Sequence, residues 1–196
     1  LLIYKVCRND GTCWADDIAS AVTYASSNGA NIISIGLGGN TDSFLMRDAV
    51  SEASKDNVLV ISSAGNDGPE KGSIDFPASY SEVVSVASLS EDGTIPEWSS
   101  RGINDGDYIK ESKEIEFVAP GENIESTWLD GGYRYLSGSS MASSYIAGLA
   151  AKLWDGVATS TEVKLKKIAR DVWTVGDDSS TGFGIPILPR ETTLTN

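Results

Sequence analysis

Histidine is absent from this 196-residue sequence. That excludes His-ligated zinc, and any complete Ser-His-Asp or Cys-His catalytic set within the chain. Cysteine is scarce, with only Cys7 and Cys13. Two thiols cannot build a tetrahedral zinc site alone, and no imidazole is there to complete one. The pair reads either as a small loop-closing disulfide or as two free thiols, because spacing does not fix the Cα separation a bridge needs. Long apolar runs are missing: no stretch approaches the roughly 18 residues of a membrane span. Positive charge is sparse. Fifteen Lys and Arg face 28 Asp and Glu, for a net charge of −13. Nucleic-acid backbones and anionic membrane surfaces are therefore poor partners. The start lacks a basic n-region and a cleavage site, and Leu1 opens straight into the apolar run Leu1–Val6. The expectation is a chain cut from something longer rather than a signal peptide.

What is present fits one globular domain. The hydrophobic fraction is 40%, and the length allows a sizeable core. Residues 1–190 read as that domain and 191–196 as a tail. Strand-like and helix-like segments alternate. Leu1–Val6 reads as a strand. Asp16–Asn28 carries Ile18, Ala21, Val22 and Ala25 at helical spacing, stopped by Gly29. Ile32–Ile35 is a short buried strand. Ser43–Lys55 is a helix with Leu45, Met46, Ala49, Val50 and Ala53 inward. Val58–Ile61, Val83–Ala87 and Glu116–Gly121 read as strands, and Ile103–Lys113 as a polar loop. A helix from Ser140 to about Trp154 is apolar almost all round and should be buried. A last helix starts near Thr159, with Thr159 and Glu162 spaced as a capping box. Continuous apolar strands between helices imply α/β architecture: a mostly parallel sheet covered on both faces, with its ligand site beyond the carboxyl strand ends.

Three segments at those ends carry chemistry. Gly138-Ser139-Ser140 is a tight turn into a buried helix. Such a turn presents Ser140 as a nucleophile beside free N–H groups, or it leaves Ser139 or Ser140 as a simple helix cap. Asn66, after the strand ending Ser63-Ala64-Gly65, is either an amide donor to a developing oxyanion or part of an Asn-Asp-Gly turn. Gly36-Leu37-Gly38-Gly39 is either a close-approach surface for an extended peptide or a plain loop.

Taken together, the segments resemble the subtilisin-like serine proteases, the subtilases. Ser34-Ile35-Gly36-Leu37-Gly38-Gly39 is similar to that family's S-L-G-G strand, and Ser62-Ser63-Ala64-Gly65-Asn66 to its A-A-G-N segment. Phe76-Pro77-Ala78-Ser79-Tyr80, Trp98-Ser99-Ser100-Arg101-Gly102, Val118-Ala119-Pro120-Gly121 and Gly138-Ser139-Ser140-Met141-Ala142-Ser143 follow in the family's order. The resemblance runs from Leu1 to about Ile187. It implies a three-layer sandwich with a mostly parallel subtilisin-like sheet, incomplete at the N-terminal side. It implies Ser140 as nucleophile, Asn66 in the oxyanion hole, and substrate strands paired to Gly36, Leu37, Gly38 and to Ser63, Ala64, Gly65. It also implies peptide or protein substrates, an upstream part of the same parent supplying Asp and His, and secretion. No cofactor is required for the chemistry. Calcium is possible as a structural ion, with Ala78, Tyr80 and Val83 as a weak carbonyl site.

The departures are specific. No base is available to Ser140 within the chain. Lys152 is on the same helix but about three turns away. Ser143-Ser144-Tyr145-Ile146-Ala147-Gly148 stands where the family has P-H-V-A-G. The missing triad strand should leave a gap in the sheet between Leu1–Val6 and Ile32–Ile35, making the segment marginal or aggregation-prone alone. The rival to an active peptidase is a pseudoprotease that binds peptides in the same groove. An α/β-hydrolase needs a downstream His, and a dinucleotide fold needs G-x-G-x-x-G spacing. Neither is present.

Overall fold

The computed structural model describes residues 1–189; the tail 191–196 lies outside them. Four parallel strands form the centre: β1 (Ile32–Ile35), β2 (Leu59–Ser63), β3 (Val84–Leu89) and β4 (Phe117–Pro120), in that spatial order. Ile33 pairs with Val60, Ile61 with Val84, and Ala87 with Val118. Every residue of β2 and β3 is buried, as expected of strands covered on both faces.

Alternation along β2 separates the two cores. Val58 and Val60 face α1 (Ala15–Ser27) and α2 (Phe44–Lys55), where they pack with Val22, Met46 and Val50. Leu59 and Ile61 face α3 (Ser139–Leu153) and α4 (Ala158–Ile168), where they pack with Ile146, Leu149 and Leu165. The result is helix, sheet, helix, the three-layer α/β arrangement that the resemblance implies. Ile146 is fully buried, so truncating it to Ala costs about 2–5 kcal/mol. A hairpin, β5 (Ile124–Thr127) with β6 (Tyr133–Leu136), precedes α3, and a short pair, β7 (Ala169–Arg170) with β8 (Ile185–Pro186), follows α4.

Several local expectations need correction. Leu1–Val6 is not a strand. Apolar residues become a strand only where a neighbour takes their backbone bonds, and here β1 is the sheet edge. Leu1, Leu2 and Ile3 are exposed, while Tyr4 rests edge-on against Tyr24 of α1. Cys7 and Cys13 form a disulfide, which decides between the two readings of that pair. Leu45 is exposed, because the buried face of α2 is Met46, Ala49, Val50 and Ala53. Helix α3 is not buried all round: Ser144, Tyr145, Gly148 and Lys152 form an open face.

The capping box at Thr159 does not form, since α4 starts one residue earlier and its N-cap, Val157, offers no side-chain oxygen. The Asn57 Oδ1 atom instead accepts from the Ala158 N–H at 2.9 Å, a cap supplied from across the fold. Glu162 is freed for Lys110 and Lys166. Hairpin strand β5 had no sequence signal beyond Ile124.

Candidate active site

The carboxyl ends of β1 and β2 lie beside the amino end of α3 because the strands are parallel and α3 packs across them. Three sequence segments therefore meet. Gly36 follows β1, Gly65 and Asn66 follow β2, and Gly138 to Ser140 open α3.

Gly138 is the N-cap of α3 with φ +155° and ψ +157°, a conformation that suits glycine. A Cβ there would stand 3.4 Å from Asn66 Nδ2. Its N–H donates to the Gly121 carbonyl at 2.7 Å, tying the turn to the loop after β4. Ser140 follows in the first helical turn, half-buried, and its hydroxyl donates to the Gly36 carbonyl at 2.8 Å. The Ser140 backbone N–H lies in the first turn, where no intrahelical acceptor exists, so it is free to face a ligand.

Ser139 organises the amide. Its N–H and its Oγ donate to Asn66 Oδ1 at 3.0 and 3.1 Å. Its Oγ in turn accepts from the Gly65 N–H at 3.1 Å. With Oδ1 engaged twice, Asn66 presents its Nδ2 donors away from Ser139. The Ser99-Ser100 turn braces the same loop. Ser100 Oγ accepts from the Asp67 N–H at 3.0 Å, and the Ser100 N–H donates to the Gly65 carbonyl at 3.2 Å. Sequence reasoning noticed Ser139 as a possible cap and a motif member, and Ser99-Ser100 only as a matching motif.

The two glycine-bearing segments flank a trough. Its floor is Asp75-Phe76. The Asp75 N–H donates to the Ala64 carbonyl at 2.8 Å, and Phe76 exchanges hydrogen bonds of 2.8 and 3.1 Å with Gly39. Asp75 was missed altogether. The signal was present as a lone acid in Ile74-Asp75-Phe76-Pro77, a segment otherwise apolar. Burial, and then the like charge of Asp67, push the Asp75 carboxyl up to about 6.

Leu37 is half-buried, and Ser63, Ala64 and Gly65 are buried along the trough wall. Two open surface depressions lie elsewhere: one of about 360 Å³ beside Tyr4 and Cys7, and one of about 530 Å³ between α1 and α2. Neither touches Ser140 or Asn66.

Ala78, Tyr80 and Val83 are all buried in one turn region. The Tyr80 carbonyl already accepts from the Val83 N–H at 3.0 Å. Among the described residues no group of three or more acidic, Cys or His side chains could hold a metal. Carbonyls alone would have to hold calcium here, and no chemistry is routed through it.

The site therefore sets an anchored amide and a serine at a helix head beyond the carboxyl ends of a parallel sheet. The subtilase family (Peptidase_S8) matches residues 1–184, and the chain belongs to it. It is 40% identical over 207 residues to a subtilisin of Bacillus sp. (strain TA39), covering 94% of this chain and 49% of that one. It is 36% identical to the major intracellular serine protease of Bacillus subtilis (strain 168), covering 85% and 50%. Among solved structures it superposes on Sphericase with a TM-score of 0.91 at 34% identity, covering 95% of this chain and 67% of that one. The S41 psychrophilic protease gives 0.90 at 38%, covering 95% and 68%. The chain spans about half the length of the curated relatives it matches.

Proposed function

We propose that these residues form the nucleophile, oxyanion hole and peptide groove of a subtilisin-type serine endopeptidase. The observation that carries the reading is the joint anchoring of Asn66 and Ser140. One helix start holds the amide through Ser139 and offers the hydroxyl of the next residue.

In the reaction, Ser140 Oγ leaves the Gly36 carbonyl and attacks the scissile carbonyl carbon. Its proton passes to a histidine outside this chain, itself oriented by an aspartate outside this chain, and then to the leaving amine. The C–N bond breaks and an acyl ester forms on Ser140, which water hydrolyses. Asn66 Nδ2 and the Ser140 N–H donate to the oxyanion, where fixed dipoles act without reorganisation. Residues 36–38 and 63–65 hold the substrate as strands on either side. Calcium acts at most as a structural ion at Ala78, Tyr80 and Val83. The setting is extracellular by family resemblance. One relative is a minor extracellular protease and another is intracellular. No helix among the described residues is long and apolar enough to cross a membrane.

The experiment is labelling of the full-length protein with a fluorophosphonate, which reacts only with an activated serine. Labelling that disappears in Ser140→Ala supports the reading. Absence of labelling with retained peptide binding makes the protein a peptide-binding pseudoprotease.

A further inference from the structure

The geometry points to Asp75 as the residue that selects a positively charged side chain in the substrate, so that cleavage follows lysine or arginine. The inference rests on the peptidase reading above and adds a substrate class to it.

Position comes first. Asp75 lies under both walls of the trough. A Cβ on Gly38 would stand 2.9 Å from Asp75 Cβ and 3.0 Å from its Oδ2, and a Cβ on Gly65 would stand 2.6 Å from the same Oδ2. The carboxylate thus fills the space that these two glycines leave between the strands. Gly65 directly precedes Asn66, the donor to the reacting carbonyl. In an extended peptide, side chains alternate between faces. The residue whose carbonyl meets Asn66 is therefore the one placed to send its side chain past Gly65 onto Asp75.

Partners come second. Asp75 is 8% exposed. Among the described residues its carboxylate accepts no hydrogen bond from a side chain or backbone and joins no ion pair; its backbone N–H and carbonyl are occupied by Ala64 and Ser79. The basic residue of the nearby turn, Arg101, is committed to the Ser99 and Pro96 carbonyls at 2.5 and 3.2 Å. The charge it does feel, Asp67, has the same sign. An unpaired carboxylate away from water is costly to the fold.

The chain shows what it does with an acid that serves the fold. Glu162, half-buried, has Lys110 at 3.2 Å and Lys166 at 3.3 Å. Asp75 has no such counter-ion, and its carboxylate lies against Gly38 and Gly65. A cationic side chain entering there supplies the missing partner. Its binding gains what the empty site lacks, and a neutral or acidic side chain gains nothing. A single carboxylate at the base of a peptidase specificity pocket is enough to select basic residues. Two carboxylate oxygens suit either a forked guanidinium or an ammonium.

The test uses the full-length protein and peptides that differ only at the residue before the scissile bond: Lys, Arg, Leu or Glu. The expected result is kcat/KM for Lys or Arg above Leu by about tenfold or more, with Glu lowest. Asp75→Asn, which keeps the shape, should remove that preference while Leu cleavage persists. Asp75→Ser should do the same and guards against a fault peculiar to one variant. Equal or better cleavage after Leu, unchanged by Asp75→Asn, overturns the proposal. If no peptide is cleaved and no fluorophosphonate label is taken up, the peptidase reading fails separately. The same peptides, ended at Lys, Arg or Leu as free acids, then decide by titration. Tighter binding of Lys or Arg peptides that is lost in Asp75→Asn sustains the charge-selecting role, and equal binding ends it.

Discussion

Ser139 grips Asn66 twice: its N–H and its Oγ both donate to Asn66 Oδ1, at 3.0 and 3.1 Å. The residue before Ser140 thus sets the direction of the amide, and Ser139 is a positioning residue in the proposed reaction. Ser139→Ala deletes one of the two bonds, along with the acceptor for the Gly65 N–H. The expected outcome in the full-length protein is a lower kcat with KM little changed, because the loss falls on the oxyanion rather than on ground-state binding. The ceiling is the loss of one oxyanion donor, about 10²–10³-fold, a range taken from subtilisin itself. Ser139→Thr keeps the hydroxyl and should restore kcat. Steady-state kinetics on one peptide check this, and equal loss in both variants would refute the positioning role.

How much of this was legible follows from what each feature depends on. A mostly parallel sheet covered on both faces was readable because Val58–Ile61 is apolar at every position and the helices show plain 3.6-residue spacing; which β2 residue faces which helix layer was not, because an all-apolar run has no alternation. That the segments of Gly36, Asn66 and Ser140 meet was legible, because each follows or faces a strand end in a parallel sheet. Leu1–Val6 misled because strand formation is decided by a neighbouring strand, which no local pattern encodes. The cap of α4 misled for the same reason: Asn57 lies about a hundred residues before Ala158. Asp75 was invisible as a site residue because its meaning comes from Gly38 and Gly65, two other segments that close around it.

Glu116 yields a pH prediction. Burial pushes its carboxyl up to about 7, against the pull of Lys110 and Lys166. The folded state therefore holds a proton that the unfolded chain, with its ordinary glutamate value of 4.5, has already released. Stability from this group is highest below 4.5, falls as pH rises through 4.5 to about 7, and is flat above. Glu116→Gln mimics the protonated form. In the full-length protein its melting temperature relative to the unsubstituted protein should rise between pH 5 and pH 8. A melting-temperature difference that is the same at both pH values would show that Glu116 does not titrate in this window.

Edge strand β1 makes the 196-residue polypeptide a poor independent unit. Its residues, Ile32, Ile33, Ser34 and Ile35, carry no charge, and its outer side has no partner among the described residues. Leu1, Leu2 and Ile3 are exposed as well. An uncharged edge of this kind is a template for pairing with another copy. Expressed by itself, the polypeptide should self-associate at micromolar concentration, seen as rising light scattering on warming. Ser34→Lys tests the cause. Ser34 is exposed, so lysine there costs little packing while placing a charge on the edge. Scattering should fall and helix content should stay the same. The same polypeptide should take up no fluorophosphonate in either form, because the Ser140 hydroxyl donates to the Gly36 carbonyl and no histidine exists in the chain to receive its proton. A clean, cooperative melt without scattering would show that β1 is protected in a way its sequence does not provide. Uptake of label would show that Ser140 finds a base within these residues.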